Sequence, residues 1–347
     1  MASRRASPIS AWFGLARTAL KASEKLGKAT RRHGPSLKKS AERLLSGVAT
    51  PAAPPVNRGT GRWEEGRWGL GPFAMRRYRL FIPPGAGLRR PVPLVMLLHG
   101  CGQDAASFAA VTRAAANGRA GNFAVLLPEQ APEANPQRCW NWFRPEPVVA
   151  MEAGILAAIV AHVCALHPLR RDRVFALGLS AGGAMTVSLA LRYPELLAAV
   201  GTHSGALPGS AENALQAGQS MGGRRSPDLA DLRRKLAGRP LPPLIAIHGD
   251  RDHAVAPANA ESLAELWLNL SQSGGPLRRI SRETRTGKRR PYMVTDWTLD
   301  GNPYVRLIRV HGLGHAWSGG PAHQAFSDPN GPDALKLAWR FFRRCVE

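Results

Sequence analysis

Seven short apolar runs, alternating with longer stretches of helical periodicity, constrain this 347-residue chain more than any other feature. Arg77–Ile82, Val92–His99, Ala124–Pro128, Arg173–Leu179, Ala198–His203, Leu244–His248 and Val305–Val310 read as strands. Several are apolar almost throughout, as strands buried on both faces of a mostly parallel sheet must be. Helical spacing over Ala106–Ala120, Glu152–Leu166, Ala181–Arg192, Ala258–Ser271 and Ala334–Arg343 supplies layers to cover those faces. Strand and helix in repetition predict a three-layer α/β domain. No uninterrupted apolar run approaches the roughly 20 residues of a membrane-spanning helix. The chain is not expected to cross a bilayer.

Charge sets a second boundary. The balance is 47 Lys and Arg against 24 Asp and Glu, a formal +23. Of the basic residues 39 are Arg, in a chain also rich in Gly and Pro, which reads as a composition bias. With no zinc-finger spacing, basic zipper or aromatic RNA-binding signature, a nucleic-acid partner is not expected. Residues 1–55 stand apart, with eleven basic residues against Glu24 and Glu42. Ile9, Trp12, Phe13, Ala16 and Leu20 recur there at helical spacing. Two readings follow for this basic N-terminal extension. It is an amphipathic helix that could lie on a membrane, a lipid-coated granule or an acidic partner, or it is a solvated tail. Arg17 and Lys21 interrupt the only candidate for a secretory apolar region. The Pro-rich stretch Thr50–Val56 separates the extension from a catalytic domain over 56–347.

Cys101, Cys139, Cys164 and Cys345 lack zinc-site spacing, so no metal or other cofactor is expected. Cys164 reads as a small buried hydrophobe. The chemistry points elsewhere. Gly178-Leu179-Ser180-Ala181-Gly182 lies between an apolar strand and a helix, the context in which a serine is held exposed above a sheet. A serine hydroxyl needs a histidine base, and that histidine needs a carboxylate to fix its tautomer. The strand Leu244–His248 runs into Asp250 and Asp252, and the strand Val305–Val310 runs into the Gly-rich loop bearing His315. Either aspartate could serve. Asp252 sits further into its loop and is preferred, while Asp250 suits a turn brace. His311 belongs to a strand end, and His253 and His323 read as surface residues. His99, His203 and His248 read as neutral structural histidines. The chain order Ser180, Asp252, His315 is that of α/β-hydrolases, each residue just past a strand end.

Attack by Ser180 would create an oxyanion needing backbone N–H donors already in place. Ala181, just after the serine, is one candidate. Cys101, in the turn His99-Gly100-Cys101-Gly102-Gln103, is the other. Trp140 and Trp317 are expected to wall an apolar acyl or polyester chain, whereas Trp142 is expected in the core. The basic run Arg278–Arg290 reads as a solvated loop.

Seven segments carry a resemblance: L-L-H-G-C-G-Q-D at 97–104, P-E-Q at 128–130, C-W-N-W-F at 139–143, G-L-S-A-G-G-A-M at 178–185, H-S-G at 203–205, H-G-D-R-D at 248–252 and G-L-G-H-A-W-S-G-G at 312–320. Together they resemble the polyhydroxybutyrate depolymerase family of esterases, related to feruloyl and acetylxylan esterases. The resemblance spans about residues 65–345. It implies an α/β-hydrolase fold and a serine carboxylesterase acting on hydroxyalkanoate polyesters, their oligomers, or acyl groups on polysaccharides. It also implies a triad of Ser180, Asp252 and His315, oxyanion donors at Cys101 and Ala181, and a disulfide between Cys101 and Cys139. Family members are often secreted, and without a clear leader a cytoplasmic or granule-associated location stays open here. The reading from another class is a non-catalytic granule- or surface-binding protein, against which the intact Ser, Asp and His set argues.

Overall fold

Residues alternate across the central strands because successive side chains of a strand point to opposite faces. In a computed structural model, which describes residues 59–271, 276–285 and 287–347, the strands in chain order are β1 (Arg62–Trp68), β2 (Arg76–Ile82), β3 (Val92–Leu98), β4 (Ala124–Pro128), β5 (Leu169–Leu179), β6 (Ala199–His203), β7 (Leu244–Gly249), β8 (Leu277–Thr284), β9 (Tyr292–Leu299), β10 (Asn302–Val310), β11 (Trp317–Ser318) and β12 (Ser327–Asp328). The helices of four residues or more are α1 (Gly71–Ala74), α2 (Ala105–Val111), α3 (Ala114–Gly121), α4 (Glu146–Leu166), α5 (Ala181–Arg192), α6 (Ala214–Met221), α7 (Leu229–Leu236), α8 (Ala258–Leu270) and α9 (Ala334–Arg344). The described residues fall within one compact unit, Asn57–Glu347. The basic extension at 1–55 lies outside the described residues.

Leu94, Met96 and Leu98 of β3 join one buried cluster with α4, α5 and α8, while Val95 and Leu97 join a second with α2, α3 and α9. Val174 and Ala176 of β5 face the first cluster, and Phe175, Leu177 and Leu179 the second. Both faces are therefore covered, as the near-continuous apolar runs require. The sheet order is β1-β2-β4-β3-β5-β6-β7-β10-β9-β8. Strands β4, β3, β5, β6, β7 and β10 are parallel, with antiparallel additions at either edge. From β3 the chain moves to one side for β4, then crosses back to β5. That reversal opens a crevice at the carboxyl ends of β3 and β5, where open α/β sheets place ligands.

Several elements differ from the sequence expectations. The helix expected over Ala106–Ala120 breaks at Thr112, whose hydroxyl donates back to the Phe108 carbonyl (2.8 Å), and Arg113 adopts a left-handed conformation (φ 52°). α4 starts at Glu146 rather than Glu152. At 21 residues it is long and apolar enough, by length and composition, to cross a membrane, yet half of its apolar window is buried within the fold. The run Arg278–Arg290 is no simple loop: Leu277–Thr284 is the edge strand β8, paired with β9. β8 is exposed almost throughout, so it has no apolar run to announce it, and its arginines suit an edge that must not recruit another strand.

α9 anchors the second face. Phe342 is fully buried and stacks on Phe175 with ring centroids 4.9 Å apart. Phe342→Ala is expected to lower unfolding free energy by about 3–5 kcal/mol. Leu277→Ala, on the exposed edge strand, should stay within about 0.5 kcal/mol of wild type. Urea unfolding midpoints of the two variants give the comparison.

Candidate active site

Ser180 follows the last residue of β5 and precedes the first of α5, with φ 55° and ψ −120°, a conformation that a side chain-bearing residue adopts only under constraint. Glycines on either side make it attainable. A Cβ on Gly178 would lie 2.3 Å from the Gly182 carbonyl carbon, and one on Gly182 would lie 2.2 Å from the Leu98 oxygen. The turn therefore closes on itself and against the end of β3 only where both are glycine. Ser180 N–H donates to the His203 carbonyl (2.9 Å) and Ala184 N–H to the Ser180 carbonyl (3.0 Å), pinning the elbow between sheet and helix.

The loops after β7 and β10 bring their side chains to this serine. The Ser180 hydroxyl donates to His315 Nε2 (3.0 Å), and His315 Nδ1 donates to Asp252 Oδ2 (2.8 Å). With Nδ1 committed as a donor, Nε2 is left as the acceptor, the tautomer a general base needs. Asp252 is buried and fully satisfied: Oδ1 accepts from the N–H groups of Ala254 (3.0 Å) and Val255 (2.9 Å), and Oδ2 lies 3.3 Å from His248 Nε2. Burial alone would raise its pKa, but the hydrogen bonds from His248, His315 and Val255 hold the carboxyl well below its usual range. Asp250 does something else. It accepts from His311 Nδ1 (2.9 Å) and Gly312 N–H (2.7 Å), bracing the start of the loop that carries His315.

The turn after β3 lies beside the elbow, its Gly100 3.6 Å from the Leu179 oxygen as measured from an added Cβ. Gly100 N–H donates to Gln103 Oε1 (2.9 Å) and Gly102 N–H to the Gln137 carbonyl (2.9 Å). The N–H groups of Cys101 and Ala181 have no acceptor among the described residues. Cys101 is joined to Cys139 by a disulfide. Beneath that segment lies a network the sequence reading missed. Buried Glu152 accepts from Asn141 N–H and Nδ2 (both 2.7 Å), from Gln130 Nε2 and from Arg76 Nη2 (3.4 Å). Its one sequence signal is an acid set within an otherwise apolar helical run.

Two expectations are corrected. Trp140 has no exposed surface and Trp317 is 1% exposed, so neither can wall a ligand. The chain turns inward at both: Trp140 packs on His99 (5.5 Å) and Trp317 stacks on His203 (5.1 Å), with Trp317 further held where β11 pairs with β12. Trp142 is buried, in line with its core reading. The exposed aromatic of this loop is Phe326, half exposed at φ 56°, whose carbonyl accepts from Trp317 N–H (2.7 Å).

The histidines under the site are neutral by construction. His99 Nε2 accepts from Gln130 N–H (3.1 Å) and its Nδ1 donates to the Gly100 carbonyl (2.8 Å). His203 Nε2 accepts from Ser318 N–H (3.2 Å). Burial lowers their pKa values to about 4 for His99 and about 3 for His203. Both lie below the unfolded value of about 6.5, so in acid the unfolded chain binds protons that the folded chain refuses. Stability is therefore complete above pH about 6.5 and is lost as pH falls toward the folded values, by on the order of 5 kcal/mol at pH about 4.5 for the two together. Melting temperature measured from pH 7 to 4.5 should fall, and His203→Gln should about halve the slope.

Comparison with known proteins agrees with this architecture. The family model described as Esterase PHB depolymerase matches residues 76–287. Poly(3-hydroxyalkanoate) depolymerase C of Paucimonas lemoignei is 30% identical over 245 residues, covering 68% of this chain and 58% of that protein. Poly(3-hydroxybutyrate) depolymerase of Ralstonia pickettii is 26% identical over 272 residues, covering 72% and 52%. The chain thus spans little more than half the length of either depolymerase. Feruloyl esterase B of Thermothelomyces thermophilus is 26% identical over 223 residues, covering 60% of this chain and 74% of that enzyme. Among solved structures, an acetyl xylan esterase from Aspergillus awamori superposes with a TM-score of 0.62 at 18% identity, over 82% of this chain and 99% of that one. That likeness establishes the α/β-hydrolase fold, and with the family match over well over half the residues, the chain belongs to the Esterase PHB depolymerase family.

Proposed function

We propose that the protein is a serine carboxylesterase that cleaves short-chain hydroxyalkanoate esters through an acyl-serine intermediate. The observation that carries the reading is the unbroken line of hydrogen bonds from Ser180 through His315 to a buried, ionised Asp252. Ser180 Oγ attacks the ester carbonyl as its proton passes to His315 Nε2. The negative charge gathering on the carbonyl oxygen is met by the Cys101 and Ala181 N–H groups, which need no other acceptor. The C–O bond to the alcohol then breaks, and His315 returns the proton to the departing alkoxide. Water, deprotonated in turn by His315, hydrolyses the acyl-serine and restores Ser180. The Asp252 carboxylate stabilises the imidazolium in both halves without taking up a proton.

The named depolymerase relatives support hydroxyalkanoate oligomers or polymer as the substrate class. The feruloyl esterase relative supports a second reading, aryl or acyl esters of polysaccharides. The eleven basic residues within 1–55 suit attachment to an anionic granule surface.

Turnover of p-nitrophenyl butyrate should fall at least about 10⁴-fold in Ser180→Ala, and by about 10³- to 10⁴-fold in Asp252→Asn, which would hold His315 in the wrong tautomer. Asp250→Asn, which touches only the loop brace, should stay within about tenfold. Activity surviving in Ser180→Ala defeats the mechanism. Comparing kcat/KM on 3-hydroxybutyrate oligomers with that on feruloyl esters decides between the two substrate classes.

A further inference from the structure

A second cleft lies away from Ser180 and shares none of the residues named there. Strand register sets Arg282 of β8 beside Val294 of β9, and Val294 beside Ile308 of β10. One step along, Thr284, Tyr292 and Val310 align in the same way, and on the other side Asp296 aligns with Arg306. Residues two apart along a strand share a face, so all of these lie on one side of the sheet. It is the side on which α9 packs. Leu337, Arg340 and Arg344 recur along α9 at i, i+3 and i+7, and they meet that face across a cleft of about 460 Å³. Its floor is apolar, from Val294, Ile308 and Leu337, and its walls are arginine.

The charges around it do not cancel. Buried Arg306 grips Asp296 with two nitrogens, Nε to Oδ1 (2.5 Å) and Nη2 to Oδ2 (2.9 Å). Arg282 Nη1 reaches the same carboxylate (2.8 Å), so one acid serves two guanidiniums. Burial would raise the Asp296 pKa, but Arg306 and Arg282 outweigh it and hold the group ionised. Arg343 pairs with Glu347 (2.6 Å). Arg340 and Arg344 have no acidic partner among the described residues. Five guanidiniums thus face two side-chain carboxylates, a side-chain surplus of three positive charges. An arginine-rich composition accounts for many arginines on the surface, but not for their convergence on one cleft. Side chains repelling one another across so small a space are held together most favourably by an anion between them.

We propose that this cleft binds a phosphomonoester carried on an apolar group, either a soluble organic phosphate or the headgroup of an anionic lipid. Guanidinium forks match phosphate oxygens in pairs, and a phosphate near its second ionisation answers a multiple positive surplus better than a single carboxylate does. The apolar floor takes the organic group, and the volume is that of a small-molecule site.

The full chain is titrated calorimetrically with phenyl phosphate at physiological salt, and in parallel sedimented with vesicles of phosphatidylcholine with or without phosphatidic acid. Saturable binding is expected in at least one arm: to phenyl phosphate if the source is soluble, or to phosphatidic acid vesicles alone if it is lipid. Arg340→Ala/Arg344→Ala should weaken that binding at least tenfold, and Arg282→Ala, on the opposite wall, should weaken it as well. Arg67→Ala/Arg89→Ala removes two exposed arginines elsewhere and should leave binding unchanged. All variants should retain p-nitrophenyl butyrate turnover, which checks their folding independently. The proposal is overturned if neither arm saturates, if the cleft variants bind like wild type, or if the control pair loses as much as they do.

Discussion

The backbone at Ser180 is the constraint on which the rest of the structure depends. Holding a residue with a side chain at φ 55° costs on the order of 1–3 kcal/mol, and the surrounding fold must over-determine the position for it to persist. Sheet and helix both do so. β5 sits at the centre of the sheet between β3 and β6, and the residues of α5 from Ala181 to Leu191 are buried without exception. A helix with no solvent face cannot rotate or slide to relieve the turn before it. The strain is therefore locked in where the hydroxyl is presented, and Gly178 and Gly182 are required because the two backbones there approach within a side chain's own radius.

The carboxylate at the other end of the line shows the same economy of motion. A buried Asp252 would be costly if any lone pair were unpaired, and here four donors surround it. His248 has a particular part in this. Its Nε2 also faces the Val255 carbonyl (3.0 Å), an acceptor like the carboxylate, so that nitrogen must carry the proton. That proton is shared between the Val255 carbonyl and the carboxylate, so His248 supports Asp252 at Oδ2, the oxygen that also accepts from His315 Nδ1. Deleting it would remove one of the four donors that fix the acid against the imidazole.

What could be read from the sequence divides along burial. The central strands were legible because both their faces are apolar, and the serine, Asp252 and His315 because each stands just beyond such a strand at a glycine-marked turn. Edge elements were not. β1 reads R-W-E-E-G-R-W and β8 reads L-R-R-I-S-R-E-T; each meets solvent on the faces where an apolar signal would lie. The amphipathic helices α6 and α7 are too short for their period to stand out. Tryptophan misled for a related reason. Residue type shows that Trp140 and Trp317 want a large apolar contact, but whether core or ligand provides it depends on which way the loop turns, and that is decided by tertiary partners such as His99 and His203. Asp250 and Asp252 were separable only in part, since the choice between brace and acid turns on which histidine each loop brings within reach.

The turn proposed to supply an oxyanion donor is where the fold concentrates its tethers. Donors help an oxyanion most when they need not move to meet it, so their loop must be rigid before substrate arrives. The turn after β3 is tied by Gln103 to its own Gly100, by Gly102 to Gln137, and by the disulfide to Cys139. Cys139 is fixed in turn, its carbonyl accepting from Gln130 Nε2 (3.0 Å), and the same amide reaches Glu152, which also holds Asn141. Arg76 is the buried basic partner of Glu152 (3.4 Å), and its guanidinium also donates to the carbonyls of Phe73 (2.8 Å) and Met75 (3.0 Å). One buried acid therefore links the start of β2, the loop after β4 and the second turn of α4 to a single backbone N–H at Cys101. The disulfide and this network act in series, because a bond to Cys139 stiffens Cys101 only as far as Cys139 is itself held. Breaking the network should thus loosen the oxyanion turn even with the disulfide intact, while reducing the disulfide should leave the network, and the core around it, in place.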